Sequence, residues 1–524
     1  MGEEVSFRPA VRFAGRFRDP VLIAVLVGAA LLSIGACVVT ALSGNTLAYA
    51  DAMSHLLITG RVSGASTPGA AQLGGVWLPL PHLLAAPLVE WDPLLRSGIG
   101  ACVLSMACYV AATGWLYRAG RGITGRTVGG VVAAAVFATN PNVLYLQSTP
   151  MTEVPMLAGI AATIACFVAW CRTDELRYLL LCALATMLTT LVRYEGWVLL
   201  PVLVAAVGWR SWRRAGGDGR WYAVRADLVL FGVLAASGVV GWIGWNAIIF
   251  GDPLNFLRGE FAKPELWVAA GDPAVGNWAV AGASYLWAVV AVLGPVVLGA
   301  AAVGLGFLVW RTRLRAEAMA PVLLLVLPVF YVFALRSGQR PLHVPQISGD
   351  LYNVRFGLAV IVPAALLIGY LAAQVRPRVL AGLAPVAAGI ASVLLAVGGI
   401  ATLQEPQAFR AGAAERTNAR GAAWLREHYD RGRVLMQSWN NETVNFESGI
   451  PLREVVYEGS YRQWEPALAD PAAHGIRWIH LGRARGLPDR VWTSLHGKPQ
   501  LTRSYALVYA DADRQVYRLR GNCR

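Results

Sequence analysis

The chain has 524 residues, of which 56% are hydrophobic and only 15% charged, with a mean hydropathy of +0.50. That balance excludes an ordinary soluble domain and fits a polytopic membrane protein. The formal charge of +14 does not point to nucleic acid, because the arginines fall in short clusters between apolar runs, the positive-inside pattern of a membrane chain.

Lys263 and Lys498 are the only lysines, and this arginine bias with abundant Ala and Gly suggests a high-GC bacterial source. The seven cysteines give neither metal spacing nor a disulfide framework; Cys523 stands alone at the tail.

Arg8, Arg12, Arg16 and Arg18 precede an apolar run from Pro20 to Leu42. At ~1.5 Å per residue it is long enough to cross a bilayer core. It continues past Ile34-Gly35-Ala36-Cys37, so that stretch reads as part of an uncleaved helix and not as a lipoprotein cleavage site. The basic flank puts the N-terminus in the cytoplasm and the Gly44–Pro93 loop outside.

In that loop Asn45 or Thr46 is placed to cap a helix and Gly60 to end it. Asp51 and His55, four apart, share one face of it, while Ala50, Met53 and Leu57 lie toward another. Such a helix lies along a membrane surface and holds a carboxylate at the water boundary. The loop closes on Trp77-Leu78-Pro79-Leu80-Pro81-His82, and Glu90 and Asp92 mark the interface.

Further apolar runs lie at Leu94–Tyr117, Thr127–Tyr145, Glu153–Trp170, Leu176–Val192, Trp197–Trp209 and Asp227–Phe250. Ser284–Trp310, Pro321–Leu335, Phe356–Val375 and Val379–Thr402 complete a set of about eleven spans. The alternation assigns the loops rich in arginine to the cytoplasm: Arg118/Arg121/Arg126, Arg172/Arg177, Arg210–Arg225, Arg311/Arg313/Arg315 and Arg376/Arg378.

After Thr402 the composition changes. An amphipathic helix at Ala414–Tyr429, strands at Arg433–Ser438, Arg453–Tyr457 and Ile476–Leu481, a helix at Gln463–His474 and a hairpin at Tyr505–Leu519 make a mixed α/β domain. The division is a membrane part, 1–402, and an extracytoplasmic domain, 403–524.

Four places can carry chemistry. Asp51 at the membrane boundary reads as a solvated loop acid, as a general base or as a metal ligand. Glu153 follows Thr152 at a helix start, where an acid suits the positive end of the dipole; helix support and catalysis both fit it. Arg193, Tyr194 and Glu195 lie between two apolar runs, where the charges pair with each other or hold a lipid phosphate. Arg355 enters a helix from outside and is either an interfacial anchor or a phosphate contact. The outer loops add Arg258, Asp350 and Tyr352 as candidate substrate contacts beside His55, His82, Tyr194 and Glu195. His343 becomes a metal ligand only if it meets Asp51 or His55 in space.

Taken in order, Tyr49-Ala50-Asp51-Ala52, Trp77-Leu78-Pro79-Leu80-Pro81, Asn140-Pro141 with Thr152-Glu153, Val192-Arg193-Tyr194-Glu195-Gly196, Gly251-Asp252-Pro253-Leu254 and Val354-Arg355-Phe356-Gly357 resemble a known pattern. It is that of the GT-C polyprenyl-phosphate-sugar-dependent glycosyltransferases, the family-39-like group of protein O-mannosyltransferases, aminoarabinose transferases and Rgt-type relatives. The resemblance covers the membrane part and implies a GT-C-like helical fold with an outer α/β tail. It also implies a polyprenyl-phosphate sugar as donor, used on the outer face of a bacterial cytoplasmic membrane. The acceptor would be a hydroxyl on a glycan, lipid or protein.

Asp51 and Glu153 would be the catalytic carboxylates, and Arg355 and Arg193 the donor-phosphate contacts. The family often carries paired acids in the first loop, and here Ala52 follows Asp51. The pattern names no resident cofactor, and a divalent cation stays open. The rival reading is a transporter or flippase of lipid-linked sugars, which calls for inverted repeats and ionisable residues deep in the spans.

Overall fold

The computed structural model describes residues 19–312, 315–375, 378–484 and 487–521. Arg8, Arg12, Arg16, Arg18, Arg313, Arg376 and Cys523 therefore lie outside the described residues.

The first helix, Pro20–Leu42, starts where Asp19 accepts from the Val21 and Leu22 amides, with Pro20 at the first helical position. One face packs on Ile99–Thr124, while Ile23, Leu31, Val39 and Leu42 stay exposed. An apolar face left uncovered by protein is the mark of a lipid-facing helix. Seven helices among the described residues are long and apolar enough to cross a membrane, and four shorter apolar helices accompany them.

Glycines let three of these helices touch closely. A Cβ on Gly130 would stand 2.4 Å from the Tyr117 carbonyl oxygen, and one on Gly369 2.4 Å from that of Gly129. Ile99–Thr124, Thr127–Ala138 and Ile361–Ala372 thus meet backbone to backbone, as small residues allow in membranes.

Some boundaries differ from the sequence reading. Ser284–Trp310 is two helices, Trp278–Leu293 and Pro295–Thr312. Gly294 takes φ +79° and Pro295 has no N–H, so the helical ladder stops between them. The span expected from Leu94 starts at Ile99, after Gly98 at φ +74°.

The loop helix is Ala50–Gly64, and Tyr49 precedes it without a side-chain cap. Asn45 is not its cap, because its amide donates back to the Thr40 carbonyl and finishes the first helix. Gly60 does not end the helix. A Cβ there would stand 2.9 Å from Leu452 Cδ1, so glycine serves the approach of the C-terminal domain. Met53, His55, Leu56, Leu57, Thr59 and Arg61 are buried, so the loop helix is enclosed by protein and not laid on a surface.

The C-terminal sheet has the order β2-β1-β3-β6-β5: β1 Arg433–Leu435, β2 Val455–Val456, β3 Ile476–Ala484, β5 Tyr505–Ala510 and β6 Arg514–Leu519, with β4 Leu487–Pro488 on β3. β1 is parallel to β2 and β3, and β6 is antiparallel to β3 and β5. Residues just after β1 and β2 meet the first loop. Arg61 donates to Ser438 Oγ at 3.0 Å and lies 3.6 Å above the Tyr457 ring, and Gln72 Nε2 donates to the Gly459 carbonyl at 3.1 Å. Arg96 donates to the carbonyls of Phe446 (2.8 Å) and Ile450 (2.9 Å). Phe446 and Leu452 share an apolar cluster with Met53, Leu56 and Leu57. The domain thus docks on the helix that carries Asp51.

Candidate active site

Four chain segments converge on Arg355. The 3-10 turn Val354–Val360 supplies it, and the backbone at that turn is fixed because the Val354 amide donates to Glu405 Oε2 at 3.0 Å. Its guanidinium reaches Asp51 Oδ2 (2.5 Å), Glu153 Oε1 (3.0 Å) and Glu405 Oε1 (3.3 Å). The contact to Glu153 is an ion pair without hydrogen-bond alignment. The Tyr49 ring lies 4.9 Å from the guanidinium carbon, and its hydroxyl donates to the Thr402 carbonyl at 2.7 Å.

Arg193 is the second centre. It donates to Glu153 Oε1 (2.9 Å), Glu195 Oε1 (3.0 Å) and Thr152 Oγ1 (3.2 Å). Glu195 also accepts from the Tyr331 hydroxyl, and Arg340 Nη1 stands 3.9 Å away. Arg193 thus pairs with Glu195, as one sequence reading held, and equally with Glu153. Glu153 is the hinge of the network, shared by both arginines and only 2% exposed. It stands in the first helical turn of Glu153–Thr173, and Thr152 makes no side-chain cap there.

Four carboxylates therefore meet three guanidiniums in a nearly closed space. Buried charges persist only when paired this closely, and losing one partner leaves the others uncompensated. Asp51 is the exception, with its side chain 41% exposed. One carboxylate is held rigidly by an arginine and still faces outward, while its neighbours Glu153 and Glu405 are sealed.

His55 and His82 form a separate buried pair, with Nδ1 and Nε2 2.9 Å apart and His55 stacked on Trp77 at 4.2 Å. Burial pushes His82 down to about 4, and burial with the nearby His82, Arg193 and Arg355 holds His55 well below the usual imidazole range. In both rings burial favours the neutral form.

Tyr194 donates to the Val76 carbonyl at 2.7 Å and stacks on Phe256, which ties the Arg193 turn to the first loop. Arg258 is exposed on the short helix Asn255–Arg258 and is not drawn into the cluster. His343 bridges Asp350 (3.1 Å) and Asp272 (3.2 Å), and its backbone pairs with Tyr352. It therefore stands with those acids and not with Asp51 or His55.

Among the described residues no group of three or more His, Cys, Asp or Glu is placed to hold a metal ion. Between Asp51 and Glu153, where a shared cation would sit, stands the Arg355 guanidinium. A cation shared by those two acids would have to displace that guanidinium.

Glu405, Arg340 and Tyr331 were not singled out in the sequence. Glu405 lies beyond the composition change at Thr402, on the helix Ala401–Arg410 that crosses it. Arg340 had a readable signal: the loops that the charge alternation assigns to the outside are poor in arginine, so each arginine in one carries information.

Residues 95–242, which include Glu153 and Arg193, match the model of the family described as dolichyl-phosphate-mannose-protein mannosyltransferase. No curated protein matches the chain by sequence. Among solved structures, the chain is similar to ArnT from Cupriavidus metallidurans bound to undecaprenyl phosphate, at 13% identity and a TM-score of 0.53, covering 90% of this chain and 97% of that one. It is also similar to the apo form of the Archaeoglobus fulgidus oligosaccharyltransferase, at 12% identity and a TM-score of 0.51, covering 89% of this chain and 70% of that one. The fold is the one the sequence resemblance implied: a GT-C-type helical membrane protein with a small C-terminal mixed sheet.

Proposed function

We propose that this chain is an integral membrane glycosyltransferase that moves a sugar from a polyprenyl-phosphate donor to an acceptor hydroxyl. The observation that carries the proposal is Asp51, a part-exposed carboxylate locked by Arg355 beside a buried arginine network. The family match through Glu153 and Arg193 supports it, and so does the shared fold with a protein bound to undecaprenyl phosphate.

Asp51 takes the proton of the acceptor hydroxyl as that oxygen attacks the anomeric carbon. Polyprenyl phosphate leaves on the opposite face, and the centre inverts. Arg355 and Arg193 stabilise the departing phosphate. Because both already serve carboxylates, Arg340 is the arm with donors to spare: it is 25% exposed and only loosely engaged with Glu195. Glu153 holds the two inner arginines at a fixed spacing and does not itself move a proton.

The N-terminus and the arginine-rich loops face the cytoplasm of a bacterial cell, and the loop helix and the 403–524 domain face outward. That orientation places Asp51 where a lipid-borne sugar leaves the bilayer and meets an extracytoplasmic acceptor. The test is transfer from a labelled polyprenyl-phosphate sugar by the purified chain. Release of polyprenyl phosphate that depends on Asp51 is the expected result, and vesicle translocation of an intact lipid-linked sugar with no release would replace transfer with transport.

A further inference from the structure

The helix that begins beside Asp51 ends at a second feature with no part in the chemistry above. From Arg355 the chain runs through Val354–Ala372 to Ala373. At ~1.5 Å per residue, and ~2 Å in the 3-10 turn, that is about 27–30 Å. A hydrocarbon core is ~30 Å thick, so Ala373 lies at the opposite headgroup layer.

A cavity of about 290 Å³ opens there, lined by Thr124, Arg126, Arg311, Ala373 and Gln374. Among the described residues its chemistry has one sign: two guanidiniums, a hydroxyl and an amide line it, and no carboxylate does. Arg126 is held in place because its guanidinium donates to the Ala373 carbonyl and its backbone amide to Thr124 Oγ1 at 3.2 Å. Arg311, in the last turn of Pro295–Thr312, makes no hydrogen bond or ion pair among the described residues. By contrast, Arg121, Arg177, Arg210 and Arg214 at the same end are each paired with acids. Trp310, beside Arg311, is 73% exposed, as expected of an aromatic anchor at the headgroup level.

We propose that this cavity binds a phosphate ester, the headgroup of an anionic membrane lipid, on the face opposite the Asp51 site. Arg126 and Arg311 contact the phosphate oxygens, and the Gln374 amide supplies a neutral hydrogen bond. Two cations facing an open space that no described acid lines, at headgroup depth, are satisfied by an anion delivered from the bilayer. The proposal does not depend on the glycosyltransferase reading.

The experiment is native mass spectrometry of the full chain in neutral detergent, titrated with phosphatidylglycerol or phosphatidylcholine. The wild-type chain should retain phosphatidylglycerol preferentially. Arg311→Gln should weaken that retention about five-fold, and Arg126→Gln with Arg311→Gln still further, each arginine near a membrane surface being worth ~1 kcal/mol. Among the described residues Arg311 has no hydrogen bond or ion pair to lose, so the single variant stays informative if the double variant fails to fold. Competition by millimolar inorganic phosphate, with no lipid preference, would assign the same site to a free anion. Equal phosphatidylglycerol retention by wild type and Arg311→Gln would overturn the proposal.

Discussion

Replacing Arg355 with alanine removes one guanidinium from three carboxylates. Asp51 is part-exposed and its share is screened by water, so it contributes little to the folding cost. Glu153 and Glu405 are 2% and 4% exposed, and both lose a partner in a place water does not reach. Breaking a buried pair costs about 3–5 kcal/mol. Glu153 keeps Arg193, and Glu405 keeps the Val354 amide, so the lower end, roughly 3 kcal/mol, is expected. Arg355→Lys should recover little, because a point charge cannot serve three acids from one plane.

Donor turnover should fall with stability in both variants, since Asp51 loses the guanidinium that positions it. The assay is thermal unfolding in a fixed detergent, read beside donor binding. A cycle with Glu405→Gln isolates the pair: neutralising the stranded acid should restore part of the lost stability, with a coupling of ~0.5–3 kcal/mol. An Arg355→Ala protein that melts like wild type and binds donor normally would refute the network argument and leave Arg355 an interfacial anchor.

Other outcomes follow from the same geometry. Glu153→Gln should destabilise the chain by ~1–3 kcal/mol, because two arginines lose a shared acceptor, and should slow transfer less than removal of Asp51; equal slowing would make the two acids joint catalysts. Arg61→Ala removes the 3.6 Å stacking on Tyr457 and the bond to Ser438, so hydrogen exchange across 438–461 should rise while the membrane helices stay protected. Glu442, on the C-terminal domain, is pushed up to about 7 by burial, with Asp51 and Glu458 adding like charge. A raised folded value means stability is full below about 4.5 and declines as pH rises toward 7; Glu442→Gln should flatten that decline in a melting-temperature series. A reporter fused at Gly412 should be active only outside the cytoplasm.

The helical membrane class and the α/β tail were legible because both rest on periodicity and composition. The hairpin strand Tyr505–Ala510 appears as expected, since alternation around a tight Asp-rich turn is a local signal, while Arg433–Ser438 and Arg453–Tyr457 shorten to Arg433–Leu435 and Val455–Val456. Asp51, Glu153, Arg193 and Arg355 could be picked because an ionisable residue beside an apolar run carries a high cost. Their partnership could not be read. Arg355 and Asp51 are 304 residues apart, and nothing local in either stretch says they meet.

Glu405 shows the same limit from the other side. Dividing the chain at Thr402 put it in a different domain from the arginine it serves, while the helix Ala401–Arg410 runs straight through. A chain cut after Thr402 would therefore lose part of the site, and a truncation that keeps Gly412 is the one to test for the C-terminal domain's role. Gly60 was misread because a glycine in a helix signals an ending locally and a close contact globally, and only the tertiary structure separates the two.

The most direct test of the catalytic reading is single-turnover transfer by Asp51→Asn from a labelled polyprenyl-phosphate sugar, with donor binding measured separately. Asparagine keeps the size of aspartate and loses the ability to accept the proton. Asp51 is part-exposed, so folding should survive the change. The expected result is retained donor binding with transfer slowed by ~10²–10⁴, the usual weight of a general base. Transfer at the wild-type rate would contradict the assignment and make Asp51 a surface acid that Arg355 merely holds.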